Sequence, residues 1–426
     1  MNVVPSRRNF IASSALAGTA MMLSSAGVHA AGKEGVLKIG LIGCGGRGTG
    51  AAENALKADK NVKLVAMADA FEDQAKNSLN YLNGRGILKD KVDVKPDAIF
   101  IGFDGYKKVI EMCDVVLLTT PPGFRPLHFK AAVEAGKHVF MEKPVAVDAP
   151  GVRSVIASAR EAAKKNLSVL TGYCFRYDAA KRAGIQRIHE GAIGKVLAIH
   201  CTYLTGDPWA GRLRGKSTKI DSMEYQMRNW YYFNWLSGDH NVEQHCHNHD
   251  KAMWVLKDET PISATGIGGR QQRTDPKFGN IFDHHAVVYE FKGGVKVFSF
   301  CRQQGGLSSD INDHIFGTNG EAHLMPDPRI ISGGKTWSYE GPNENMYDVE
   351  HVEFFAGIRS GKLINDGERA AHATLMSIMG RMATYTGRKI TWDQAMNSKE
   401  DLTPPKYDWI DLPVAPVPVP GVTKFV

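Results

Sequence analysis

Val36-Leu37-Lys38-Ile39-Gly40-Leu41-Ile42 runs directly into Gly43-Cys44-Gly45-Gly46-Arg47-Gly48. The first seven residues are largely apolar and read as a buried strand. The next six have the form G-x-G-x-x-G. Glycine at the first position permits a tight turn, at the second lets backbone approach a diphosphate, and at the third lets the following helix pack close to the strand. Thr49 to Asp59 is Ala-rich and helix-permissive, so its first amides would face an anion. A second apolar run, Val62 to Ala68, ends in Asp69. A carboxylate there accepts both hydroxyls of an adenosine ribose and repels a 2′-phosphate, which favours NAD over NADP.

Working outward, strands are expected at Leu37–Gly43, Lys63–Ala68, Ala98–Ile101, Val115–Thr119, His138–Met141 and Leu167–Gly172, with helical stretches between them. Such alternation predicts an α/β Rossmann domain with a doubly wound parallel sheet. Beyond Tyr177 the pattern changes. β-rich segments at Val196–Tyr203, Pro261–Gly266, Ala286–Phe291, Val295–Cys301 and His314–Gly317 are separated by hairpin-like breaks. They predict an α+β domain with a large, open, mostly antiparallel sheet. Late helices are expected at Val349–Ser360 and Glu368–Gly387. The domains are drawn at 31–155 for the nucleotide and 156–402 for substrate and oligomerisation. A Pro-rich arm, 403–426, can be neither regular helix nor central strand.

Residues 1–30 form a separate unit. Ser6-Arg7-Arg8-Asn9-Phe10-Ile11 is a twin-arginine signature, followed by the uncharged run Phe10 to Leu23 and a small-residue cleavage site at Val28-His29-Ala30. This order predicts export by the twin-arginine route to the periplasm or beyond. The chain of 426 residues is 43% hydrophobic and 23% charged, the balance of a soluble globular protein. Removing residues 1–30 takes two arginines and no acid, lowering the net charge from +7 to +5. That charge is spread along the chain, so neither nucleic-acid binding nor membrane attachment of the mature protein is expected. The six cysteines form no C-x-x-C pair and mostly lie in apolar runs, where a buried thiol is the default.

The chemistry is expected at the carboxyl ends of the parallel strands. Thr119-Thr120-Pro121-Pro122 ends one strand, and Glu142-Lys143-Pro144 ends the next. The cofactor residues are therefore Gly43, Gly45, Gly46, Arg47, Gly48, Asp69, Thr119, Thr120, Pro121, Pro122, His128, Glu142 and Lys143. Lys143 is placed to take a hydroxyl proton, with a pKa expected to be lowered by desolvation and by a positive nicotinamide.

These blocks, together with Ala135-Gly136-Lys137-His138-Val139-Phe140-Met141 before Glu142 and with Gly172-Tyr173-Cys174-Phe175-Arg176-Tyr177, resemble the Gfo/Idh/MocA oxidoreductases, a family that includes glucose–fructose oxidoreductase and inositol dehydrogenases. The resemblance covers nearly all of the chain after the signal. It implies a nucleotide domain followed by a mixed domain with a large open sheet, and proton transfer by Lys143. The segment Asp239 to Asp250 resembles the family's D-x-G-x-H-x-x-D pattern, with Glu243, His245, His247 and Asp250 at its four positions. His247 is then implied as the substrate-binding or catalytic histidine.

Arg176, Tyr177, Trp230, Glu243, His247 and Asp250 are the expected substrate residues, with Lys143 and His247 catalytic. His240, His245, His247 and His249, with Glu243 and His284-His285, also invite a zinc or manganese reading. His245 and His249 share a helical face while His247 lies opposite, so no metal is expected. The implied function is an exported NAD-dependent oxidoreductase, a homo-oligomer (dimer or tetramer) holding its NAD tightly and acting on a sugar or glycoside. The alternatives are a redox-neutral NAD-dependent glycosidase and a non-catalytic sugar-binding protein.

Overall fold

The computed structural model describes residues 35–209 and 211–426. The twin-arginine signal lies outside them. The first sheet has six strands: β1 (Leu37–Ile42), β2 (Val62–Asp69), β3 (Ile99–Ile101), β4 (Val115–Leu118), β5 (His138–Met141) and β6 (Val169–Thr171). Their order is β3-β2-β1-β4-β5-β6, and every pairing is parallel. β4, β5 and β6 are buried at every position, as strands covered by helices on both faces must be. The strand order reverses between β1 and β4, which opens a crevice at their carboxyl ends. β6 lies past residue 155 and completes the sheet.

The second sheet has nine strands. They are β7 (Val196–Thr205), β8 (Ser263–Gly269), β9 (His284–Glu290), β10 (Lys296–Gln303), β11 (Asp310–Gly317), β12 (Gly320–His323), β13 (Arg329–Ser332), β14 (Lys335–Ser338) and β15 (Ile390–Thr391). Their order is β14-β13-β12-β11-β7-β10-β9-β8-β15. Only the β7–β10 pair is parallel; the other pairs are antiparallel. Burial alternates residue by residue along β9 and β10, so one face packs on helices and the other is open.

The helix Gly367–Thr386 is almost wholly buried. It packs against the helix Ala149–Lys164 behind the first sheet and against β8 of the second. One apolar element thus serves two cores, which is why its apolar residues go nearly all round. The Pro-rich arm is extended. Its backbone is tied down where Met223 N donates to Ile410 O (3.0 Å) and Leu412 N to Asp221 O (2.6 Å). Its Trp409 ring lies 5.3 Å from that of Phe71 and 4.9 Å from that of Phe103. All six cysteines are buried free thiols. No helix among the described residues is long and apolar enough to cross a membrane.

Candidate active site: a cleft between the two sheets

A cleft of about 1240 Å³ runs from the glycine turn to the second sheet. Gly43 has φ +95°, and a Cβ there would meet Thr120 N at 2.6 Å. A Cβ on Gly48 would collide with the Gly43 carbonyl oxygen. These two glycines are required by the protein's own packing. At Gly45 and Gly46 a Cβ would meet nothing within 4 Å, so their backbone faces open space in the cleft, as a diphosphate cradle requires. Asp69 stands at the end of β2. Its Oδ2 accepts from Cys44 N (2.7 Å) and its Oδ1 from Phe71 N (2.9 Å). Burial raises its pKa, and these two backbone donors work against that rise. Each oxygen keeps a lone pair for a ribose hydroxyl.

All thirteen expected cofactor residues line this cleft. Arg47 Nε pairs with Glu142 Oε1 at 2.7 Å and its guanidinium lies over the Tyr347 ring at 4.7 Å. His128 is buried beneath Thr120, 3.4 Å from its hydroxyl. Burial, then the nearby Arg125 charge, lowers its pKa to about 3, so it is neutral.

Lys143 Nζ donates to the Glu243 carbonyl (2.5 Å) and to Glu243 Oε1 (3.2 Å). The expectation of a lowered Lys143 pKa is reversed here. Burial does disfavour the charge, but Glu243, with Cys246 and Glu142, outweighs it and holds the pKa above the usual lysine value. The reason is a carboxylate supplied across the cleft by the second domain. His247 lies on the helix Cys246–Val255 with its ring edge-on to Phe175 (5.2 Å) and Tyr173 (6.2 Å). Burial, then the Lys143 and Lys251 charges, push its pKa well below the ordinary imidazole value. A neutral imidazole and a charged lysine therefore share one cleft.

Among the expected substrate residues, Trp230, Glu243 and His247 line the cleft; Arg176, Tyr177 and Asp250 do not. Arg176 Nε donates to both Asp250 oxygens (3.0 and 2.9 Å), and Arg369 Nη1 donates to Asp250 Oδ1 (2.6 Å). Asp250 is buried, so its charge is spent on Arg176 and Arg369. Tyr177 is also buried, under the Arg182 guanidinium.

The histidine cluster divides by hydrogen bonding. Ser377 Oγ donates to Ala373 O (3.2 Å), so it accepts from His249 Nδ1 (2.8 Å). His249 Nε2 is then an acceptor, filled by the Ser299 hydroxyl (2.8 Å), and Ser299 in turn accepts from His245 Nε2 (2.7 Å). The i,i+4 histidine pair is thus engaged in one ordered chain of protons. Asp239, His240 and His285 form a separate buried group with ligand atoms within 4.8 Å of one another. Asp239 Oδ2 is taken by Tyr385 Oη (2.5 Å) and Phe282 N (2.9 Å). Its φ of +80° and ψ of 157° lie in a region that is essentially glycine's alone. Its carbonyl accepts from Val242 N (2.9 Å) and Glu243 N (2.8 Å), which fixes the turn that presents Glu243.

Sequence reading missed Tyr203, Arg214, Lys216, Arg228, Gln244 and Tyr347, which also line the cleft. Gln244 occupies a variable position of the Glu243–Asp250 pattern, and the other five belong to no motif of fixed spacing.

The parallel sheet, glycine turn and charged cleft define a dinucleotide-binding domain joined to a second, open-sheet domain. Residues 37–171 match the model of the Gfo/Idh/MocA oxidoreductase family, NAD-binding Rossmann fold. The chain is 26% identical over 356 residues to an inositol 2-dehydrogenase of Serratia proteamaculans, covering 79% of this chain and 91% of that one. It is 28% identical over 365 residues to that of Ralstonia nicotianae, with the same coverage. A levoglucosan dehydrogenase solved with NADH and levoglucosan superposes with a TM-score of 0.65 at 18% identity, covering 83% of this chain and 99% of that one. The aldose–aldose oxidoreductase of Caulobacter crescentus does so with a TM-score of 0.63 at 17% identity, covering 84% and 99%. These likenesses extend the match in fold across the second domain.

Proposed function

We propose that this chain is an exported oxidoreductase using tightly held NAD to transfer a hydride to or from a ring carbon of a sugar, cyclitol or glycoside. The observation that carries the reading is the meeting of Lys143, Glu243 and His247 in the cleft that holds the glycine turn and Asp69. The glycine turn would hold the diphosphate and Asp69 the adenosine ribose. Bound NAD supplies the hydride acceptor, or as NADH the donor.

The chain's own residues handle the proton. Lys143, charged beside Glu243, donates a hydrogen bond to the substrate oxygen and stabilises negative charge growing on it. His247, neutral, takes the hydroxyl proton during oxidation and returns it during reduction. Trp230 offers an aromatic face to a sugar ring. The relatives' names supply the substrate class: inositol 2-dehydrogenases by sequence, sugar and levoglucosan enzymes by fold. Six buried thiols without a disulfide suit a protein that folds before export.

The test is the ultraviolet spectrum and mass of nucleotide released from purified protein, followed by a panel of sugars, inositols and aryl glycosides. A keto product with NADH formed supports the reading. Free aglycone without net NADH would instead identify a redox-neutral glycosidase, and absence of any bound or bindable nucleotide would overturn the enzyme reading.

A further inference from the structure

A directed chain of hydrogen bonds runs through the second domain to the cleft beside Lys143. It begins at Arg273, a buried residue in the loop between β8 and β9. Asp283 Oδ2 fixes that loop by accepting from Gln271 N (2.8 Å) and Gln272 N (2.7 Å). Arg273 itself does not line the cleft. Its Nη2 donates to Phe282 O (2.9 Å) and its Nη1 to Gln303 Oε1 (3.1 Å).

A guanidinium donates at every nitrogen and accepts at none. Arg273 therefore decides which end of the Gln303 amide faces it; turned over, Gln303 would point N–H at N–H. Gln303 is buried at the end of β10. Its Nε2 donates to the Tyr231 hydroxyl (2.8 Å) and to Gln244 Oε1 (2.6 Å). The Tyr231 hydroxyl also donates to Gln244 Oε1, at 3.4 Å. The constraint thus passes on one residue. Gln244 must turn its carbonyl oxygen back toward Gln303, and its Nε2 is the end that remains. A buried arginine orients an amide two side chains away, although the two ends of an amide have nearly the same shape.

Gln244 lines the cleft next to Glu243, whose carboxylate meets Lys143 at 3.2 Å. Tyr203 lines it too. Burial raises the Tyr203 pKa, Lys143 lowers it, Glu243 raises it and a hydrogen bond from Gln244 lowers it. An amide lowers a phenol's pKa only through its N–H, so the outward end of Gln244 is at the Tyr203 hydroxyl, in the surroundings of Lys143 and Glu243. One Nε2 hydrogen is used there, and the amide has a second.

We propose that Gln244 is a specificity-determining residue: its second Nε2 hydrogen is donated to a substrate hydroxyl oxygen other than the one held by Lys143, with Gln303 and Arg273 as positioning residues behind it. The charge of Arg273 stays buried, and what reaches the cleft is a neutral donor beside the Glu243 carboxylate. That pairing suits an uncharged ring with more than one hydroxyl. It rejects a sugar acid, whose carboxylate would face Glu243. This rests on the oxidoreductase reading above and deepens it by naming the substrate class, a neutral polyhydroxylated ring.

The test measures kcat/KM of the full chain supplied with NAD. The compounds are myo-inositol, D-glucose, levoglucosan, the monodeoxy analogues of each that keep the reacting hydroxyl, and D-glucuronate. Wild type should prefer one parent over one of its analogues by roughly ten- to hundredfold, the loss expected when a donor in the site is left unpaired. In Gln244→Leu that ratio should fall to near one. Gln303→Glu should do the same with Gln244 still present, because a carboxylate only accepts and would draw the Gln244 N–H away from the cleft. NAD affinity should be the same in all three proteins. A rate lost on parent and analogue alike, with the ratio kept, would make Gln244 structural and overturn the proposal. So would a wild type that treats every analogue like its parent, or that prefers D-glucuronate to D-glucose. Each of these leaves the oxidoreductase reading intact. A wild type that reduces NAD with no compound of the panel overturns both.

Discussion

Lys143 and Glu243 are separated by one hundred residues of chain and joined twice, the lysine Nζ donating to the Glu243 carbonyl at 2.5 Å and to its carboxylate at 3.2 Å. The lysine ends a strand of the first domain; the carboxylate closes a short helical turn of the second. Either domain alone would leave a half-site, and the lysine would lose the carboxylate that offsets its burial.

Replacing Lys143 by Met should lower turnover by about 10²–10³ while leaving NAD affinity within a few-fold. Steady-state rates and cofactor titration on the same preparation check this. A near-normal rate would make the lysine structural and leave the chemistry to His247.

The pH profile should carry the sign of two shifts. His247 is held well below the usual imidazole range by burial and by Lys143, so it stays an acceptor as pH falls, and oxidation should persist below pH 6. Lys143 is held above its usual value despite burial because Glu243 is near. In Glu243→Gln the burial penalty acts unopposed, Lys143 loses its proton at lower pH, and the alkaline limb of the rate profile should move down. An unmoved alkaline limb would detach Glu243 from the lysine's titration.

Asp69 should favour NAD over NADP by well over tenfold, since a charged contact is worth on the order of 1.5–3 kcal/mol and about 1.4 kcal/mol is a factor of ten. Asp69→Ala should narrow that ratio. Equal affinities in the wild type would remove the assignment.

Asp239→Ala should destabilise the protein by about 3–5 kcal/mol, as expected when one member of a buried charged network is removed. Tyr385, Phe282 N and His285 would all lose an acceptor. Denaturant unfolding measures it. Exhaustive chelation of the wild type should leave activity unchanged. Stoichiometric metal whose loss and return track activity would turn the Asp239, His240 and His285 group into a metal centre instead.

Much of the first domain was legible because its signals are local. A strand, a glycine turn and a strand-end acid have fixed spacing, and all thirteen cofactor positions line the cleft. In the second sheet β7 to β11 were readable, whereas β12, β13 and β14 are four residues each, too short for alternation to show. Arg176 and Asp250 lie outside the cleft lining; an arginine–carboxylate pair looks the same in sequence whether it faces a substrate or is buried within the protein. Arg214 and Lys216 were invisible because Asn229 and Trp209, not any repeat or motif, set their position.

The Pro-rich arm has a consequence for the order of events at the ribosome. Phe71 and Phe103 line the adenosine end of the cleft, and both rings rest against Trp409, which leaves the ribosome long after them. Until it emerges, that wall lacks its backing, however early the parallel sheet has formed. Cofactor capture by the nascent chain should therefore be weak and become strong only on release, so loading with nucleotide would mark a finished polypeptide.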